Sequence, residues 1–327
     1  VHAREKNMTT LLLAYNLCWM SIRPGDETDP ATRDSSACQF IDTIIVPKAR
    51  DLGGFEVRRA LPAIERRMIG PFVFLDQMGP AEFAPGKGID VRPHPHINLA
   101  TVTYLYAGEI YHRDTLGSAQ AIRPGDLNWM SAGRGIAHSE RTAPEVRAGS
   151  HPLSGLQAWV ALPAAHEESE PSFAHYSKDV LPTIQAEGKN VRIIAGSLYG
   201  ETSPAKVYSD LFYADVQLAA GATLPLDPEH EERGLYLHDG EIEIAGDRFE
   251  PGRLLVFKPG DRITIKALTP ARFMLLGGAP LDGPRHMWWN FVSSRKERIE
   301  QAKEDWKAGR FGTVPGDDKE FIPLPDH

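Results

Sequence analysis

From Ile41 onward the chain alternates short apolar runs with glycine, proline and acidic breaks. Ile44 to Val46, Phe55 to Arg59 and Phe72 to Leu75 are each of strand length and bounded by turn formers, the pattern of antiparallel strands joined by tight connections. Gly79 to Gly88 reads as a loop able to line a pocket mouth, with Gly79-Pro80 and Pro85-Gly86 as turn dipeptides. Further strands are expected over Leu99 to Tyr106, up to His112, over Asn128 to Met130 and over Gly155 to Val160. The period changes only near the end. Ile299, Ala302 and Trp306 recur at helical spacing before Gly309, and Ser294-Arg295-Lys296-Glu297 has the form of a capping box. A helix from about Ser294 to Ala308 follows, its apolar stripe docked on the β core.

The strand pattern is written twice. Tyr104-Leu105-Tyr106-Ala107-Gly108-Glu109-Ile110 returns as Tyr236-Leu237-His238-Asp239-Gly240-Glu241-Ile242, and Arg123-Pro124-Gly125-Asp126-Leu127 returns as Glu250-Pro251-Gly252-Arg253-Leu254. This predicts an all-β chain of two tandem antiparallel β-barrels with a C-terminal helix. The divisions are an N-terminal extension over 1–40, a first domain over 41–165, a second over 166–292, and a helix with tail over 293–327.

Between the first strands lie the residues that carry chemistry. His94 and His96 are two apart, so on an extended strand both imidazoles point to one face. His138 and Glu140 repeat that spacing after the glycine loop Ser131 to Gly135, whose freedom lets the chain turn sharply and aim them inward. Three nitrogens and a carboxylate suit divalent iron, manganese, nickel, copper or zinc, and such a set leaves positions open for substrate. The duplication supplies an internal control. Carried along the repeat offsets, His94 and His96 fall on Leu226 and Pro228, while His138 and Glu140 fall on Ile265 and Ala267. The ligands are gone while the scaffold recurs, which favours a dedicated site over a folding role. His112, with Asp114 beside it, is a candidate to line the pocket, a partly exposed strand histidine being the plainer alternative. Trp129 and Met130 are candidates to wall a flat substrate, with core packing the simpler role.

Composition narrows the class. Apolar residues make up 42%, enough for two cores in 327 residues, and the 29 glycines and 26 prolines fit many short strands. The formal charge is −8, from 36 basic and 44 acidic residues, with no basic run on which nucleic-acid binding could rest. Cys18 and Cys38 form no C-x-x-C pair, and a reducing cytoplasm is the simpler setting. Arg4 and Lys6 precede an apolar run from Met8 to Met20 with the outline of a signal peptide, but Tyr15-Asn16 interrupts it and no clean cleavage site follows. It is too short to span a bilayer. It reads as an upstream extension foreign to the native protein, followed by a disordered lead-in over Arg23 to Ser36.

Tandem antiparallel barrels carrying His-x-His and a later histidine resemble the cupin superfamily. The pirin family is the nearer resemblance, on His94-Pro95-His96, Thr103-Tyr104-Leu105, Pro124-Gly125-Asp126-Leu127, Met130 to Ile136, His138-Ser139-Glu140 and the tail Gly316 to Pro325. Many cupins place their glutamate shortly after His-x-His, where this chain has Thr101; pirins resemble this sequence in keeping it beside the later histidine. The resemblance implies an iron-binding bicupin with His94, His96, His138 and Glu140 as ligands. It also implies an Fe²⁺-dependent dioxygenase acting with O₂ on a phenolic substrate such as quercetin. There Glu140 would complete the metal shell or act as general base, and the ring would be cleaved with loss of carbon monoxide. The alternative the family suggests is a non-catalytic iron sensor or transcriptional coregulator working through a protein partner. A monomer is the expected state, with no direct contact to nucleic acid or membrane.

Overall fold

The computed structural model describes residues 38–51 and 55–325; the expected extension and its apolar run lie outside the described residues apart from the last few positions before Ile41. The described residues form four multi-stranded sheets and a two-stranded hairpin, His286–Trp288 with Phe291–Ser293. A first large sheet runs in the order Ser172–Tyr176, Leu127–Ser131, Leu99–Ala107, His151–Ala161, Phe72–Phe83, Glu56–Leu61, Lys48–Asp51. It faces a small sheet of Asp90–His96, Ile136–Arg141, Ile110–Asp114 and Ala119–Ile122. A second large sheet runs Ile41–Ile45, Arg253–Phe257, Glu232–Asp239, Ala271–Gly278, Leu211–Leu218, Lys189–Leu198, Thr183–Ala186, with Glu201–Thr202 paired to one side. It faces Thr223–Leu226, Ile263–Ala267, Ile242–Ile244 and Asp247–Phe249. The duplication is thus present in the strand order of these four sheets, with Glu201–Thr202 the one strand in them that has no counterpart.

The expected barrels are corrected in one respect: among the described residues no sheet is shown closing on itself, and each unit pairs a large sheet with a small one. Within each pair lies an apolar core, one containing Met78, Leu105, Ile110 and Leu153, the other Val216, Leu235, Ile244 and Ile265. A third core lies between the two large sheets. Ala100, Val102 and Tyr104 enter it from one side and Tyr213, Tyr236, Leu254 and Met274 from the other. Period-two alternation explains the division, because even-numbered residues of Leu99–Ala107 face the other unit while Thr101, Thr103 and Leu105 face inward.

Two hydrogen-bond networks cross this interface. Tyr104 donates its hydroxyl to Asp215 Oδ2 at 2.8 Å, and Asp215 is held in a fork by Arg272 at 2.9 and 2.6 Å. From the other unit Tyr236 donates to Gln77 Oε1 at 2.5 Å.

Two strands cross the sequence divisions. Ile41–Ile45 pairs with Arg253–Phe257 in the second large sheet, and Ser172–Tyr176 pairs with Leu127–Ser131 in the first. Each unit is edged by a strand from the segment assigned to the other.

Two local expectations are also corrected. Gly79-Pro80 is no turn: Phe72–Phe83 runs straight through it, and the register against His151–Ala161 slips there. A bulge accommodates proline inside a sheet. Gly79 has φ 64° and its missing Cβ would meet the Leu153 carbonyl oxygen, so only glycine fits. The C-terminal helix spans Lys296–Lys307 with Arg295 at the N-cap and no side-chain cap. The capping box does not form because the helix begins one residue late for it, with Arg295 and not Ser294 at the N-cap; the Ser294 hydroxyl donates to Glu167 Oε2 at 2.9 Å instead. The stripe of Ile299, Ala302 and Trp306 is buried as expected, against the first unit's core. Trp306 Nε1 donates to the Ile322 carbonyl, and the Ile322 amide donates to the Pro93 carbonyl, which ties the tail to the strand carrying His94 and His96.

Removing Asp215 strips Arg272 of its partner inside this interface. Asp215→Ala should cost about 3 kcal/mol and Tyr104→Phe about 1 kcal/mol, read from urea unfolding; equal small effects would show that the crossing network is not what joins the units.

Candidate metal centre

His94 and His138 are opposite each other in the register of Asp90–His96 and Ile136–Arg141, and His96 lies two residues along on the same face. All three are 1% exposed. One ring nitrogen from each comes together within 4.8 Å of the others, a group that can hold a metal ion. His94 Nδ1 lies 2.8 Å from the Arg92 carbonyl oxygen and His96 Nδ1 lies 3.2 Å from that of Asn290. A carbonyl only accepts, so both rings carry their proton on Nδ1 and leave the Nε2 lone pair free. Nε2 of His94 and of His138 is buried without a partner. Buried nitrogens without partners are costly unless something fills the place, and a divalent cation on three imidazoles fits it. Burial is also the main reason that His94 falls from 6.5 to about 4 and that His96 and His138 lie well below their ordinary value. All three are therefore neutral, as ligation requires.

Glu140, the fourth expected ligand, is not among the three residues whose ligand atoms converge. Its carboxylate accepts from Gln157 Nε2 at 3.2 and 3.0 Å and from the Thr103 hydroxyl at 3.2 Å. Burial pushes its carboxyl above the usual range, although His112, Gln157 and Thr103 work against that shift. His112 is buried and stacks on Phe173 at 4.4 Å, with its Nε2 2.9 Å from Asp114 and its Nδ1 3.3 Å from His138 Nδ1. It is neither pocket wall nor exposed strand residue but sits behind a candidate ligand. Trp129 points into the core between the units, and Met130 packs with Ala132, Ile136 and Phe173.

Several residues of the site carried no recognised signal. Thr103 and Gln157 are inward-facing partners across two neighbouring strands, legible from alternation once the pairing is known. Trp159 meets His96 edge-on at 5.1 Å and stacks on Phe74 at 4.2 Å. Asn290 belongs to the hairpin His286–Trp288 and Phe291–Ser293, far along the chain, and no local pattern announces it.

The register also refines the internal control. Ile136 pairs with His96 and His138 with His94, whereas Ile263 pairs with Leu226 and Ile265 with Leu224. The true counterparts of His94 and His96 are therefore Leu224 and Leu226, both buried and both unable to bind a metal.

Profiles of known families agree with this architecture. Residues 54–160 match the pirin profile, and residues 213–312 match the pirin C-terminal cupin domain. The chain belongs to the pirin family. A pirin-like protein of Caulobacter vibrioides is 50% identical over 290 residues, covering 88% of this chain and all of that one. Human pirin is 31% identical over 268 residues, covering 79% and 89%. Among solved structures, a quercetin 2,3-dioxygenase from Acinetobacter baumannii superposes with a TM-score of 0.80 at 34% identity, covering 88% of this chain and 97% of its own. Among the described residues no helix is long and apolar enough to cross a membrane.

The histidines make the metal-free protein sensitive to acid. His94 takes its proton near 4 when folded but near 6.5 when unfolded, so protonation favours the unfolded chain as pH falls between those values. Stability should drop across that window by about 3 kcal/mol from His94, measured by urea unfolding at successive pH values. The slope should flatten in His94→Leu; an unchanged slope would contradict the assignment.

Proposed function

We propose that this protein is an iron-dependent dioxygenase of the pirin type that cleaves a flavonol such as quercetin with O₂. The observation that carries this is the unpartnered Nε2 of His94 and His138 converging with His96, with the buried carboxylate of Glu140 on the same strand as His138. A three-histidine cluster able to bind a divalent metal on this fold is consistent with a metal-dependent oxidoreductase. The likeness to the Acinetobacter baumannii quercetin 2,3-dioxygenase supports the flavonol as substrate class.

In this reading His94, His96 and His138 hold the ion. Iron bound there would supply Lewis acidity and a redox partner for O₂. Glu140 accepts the proton of the substrate hydroxyl, and burial, which raises its carboxyl, makes it a better base near neutral pH. Gln157 and Thr103 keep that carboxylate in place through the hydrogen bonds already described. Trp159, edge-on to His96, helps keep water from the site. Ring cleavage releases carbon monoxide.

The burial of all three histidines favours a second reading, a non-catalytic iron sensor that acts by contacting another protein. Such a sensor needs the metal but no substrate path.

Iron-loaded protein incubated with quercetin and O₂ should consume the flavonol and release carbon monoxide. Glu140→Gln should lower kcat by about a hundredfold or more while retaining iron. Consumption no faster than that of His94→Ala would end the dioxygenase reading. The sensor reading then requires partners that differ between ferrous and ferric protein in a pull-down, and identical partners would end that too.

A further inference from the structure

Each histidine of the cluster has an acceptor behind its Nδ1, but the three acceptors differ in kind. The carbonyls of Arg92 and Asn290 can only accept, so they fix His94 and His96 without further help. His138 meets another imidazole instead, His112 Nδ1 at 3.3 Å, which can either give or take a proton. What decides is one step further back. His112 Nε2 lies 2.9 Å from Asp114 Oδ2, while Asp114 Oδ1 accepts the backbone N–H groups of Leu116 at 2.9 Å and Ser118 at 3.0 Å. A carboxylate only accepts. Neutral His112 therefore donates from Nε2 and presents a lone pair at Nδ1. His138 must then donate from its own Nδ1, which leaves its Nε2 lone pair facing the cluster.

We propose that Asp114 and His112 are positioning residues that set the tautomer of His138, so that the third nitrogen of the cluster is available to a metal. The inference rests on the metal reading of the site and concerns this one ligand. A second, independent observation supports it. Glu140 pairs with His112 and His138 with Asp114, whereas in the other unit Ala267 pairs with Ile242 and Ile265 with Ile244. The counterparts of His112 and Asp114 are thus Ile242 and Ile244, lost together with the ligands while the hairpin itself is kept. A pair that merely held the hairpin would have no reason to disappear with the histidines. Burial gives the same answer: His112 and Asp114 are 3% and 0% exposed, so water does not compete for these hydrogen bonds.

The test exploits Asp114→Asn. The amide N–H groups of Leu116 and Ser118 require an acceptor, so the new amide oxygen must face them and its NH₂ must face His112 Nε2. His112 then accepts at Nε2, carries its proton on Nδ1, and forces His138 to hold its proton on Nε2, the side the metal needs. Long-range ¹H–¹⁵N correlation spectra of the metal-free protein read the tautomer directly. Wild type should show His138 as Nδ1–H and Asp114→Asn should show it as Nε2–H, with Ni²⁺ affinity in a chelator competition falling about tenfold or more. His112→Phe keeps the stack on Phe173 but leaves His138 free to choose, so it should show both tautomers and a smaller loss. Wild-type His138 as Nε2–H, or Nδ1–H persisting alone in either variant, overturns the proposal. If Asp114→Asn does not fold, the wild-type and His112→Phe spectra still decide. The spectra need no metal, so an intact relay in a wild-type protein that binds no metal would sink the metal reading and not the tautomer assignment.

Discussion

The packing of the two large sheets against each other is the constraint from which the rest of the molecule follows. It obliges the strand Leu99–Ala107 to serve two interiors at once, with Ala100, Val102 and Tyr104 given to the other unit and Thr101 and Thr103 to the site. A slip of one residue would exchange the two sets. It would put Tyr104 among the ligands and take its hydroxyl away from Asp215. The hydrogen bonds that cross the interface therefore help fix a register on which the position of Glu140, held by Thr103, also depends.

Much of this was legible in the sequence, and what was not has physical reasons. Strand alternation, the paired spacing of His94 and His96 and the stripe of Ile299, Ala302 and Trp306 are local, and local periodicity survives folding. Gly79-Pro80 was misleading because the same dipeptide that makes a turn in isolation makes a bulge when a long neighbouring strand is there to pair with it. The capping motif at Ser294 failed because the buried carboxylate of Glu167 binds both the backbone N–H and the hydroxyl of Ser294, and the helix starts one residue later, with Arg295 at its N-cap. Counting along the repeat placed the counterparts of His94 and His96 two residues too far, since the connection between the strands differs in length in the two copies and only hydrogen-bond register measures that. Gln157 and Asn290 lay beyond sequence reasoning because they reach the site by tertiary pairing alone.

The second unit shows what the fold does with the space when no metal is to be held. Its interior is closed with Leu224, Leu226, Ile263 and Ile265. Arg233 occupies the strand position that corresponds to Thr101 and is wholly buried. Its guanidinium donates to the carbonyls of Leu226, Asp227, Lys258 and Asp261, at 3.3, 3.3, 2.9 and 2.7 Å. The loops that meet at that end of the sheets thus gather around a covalently attached cation. The first unit leaves the comparable task to imidazoles and whatever ion they take up.

The exchange of edge strands gives the molecule an order of assembly. Ile41–Ile45 leaves the ribosome ahead of every other described strand, yet its partner Arg253–Phe257 is made only after the entire first unit and most of the second. The nascent first unit, for its part, stays open at one edge until Ser172–Tyr176 emerges. The two halves are therefore clasped rather than strung together, and a cut made at the midpoint of the chain would take from each half a strand that its neighbour needs.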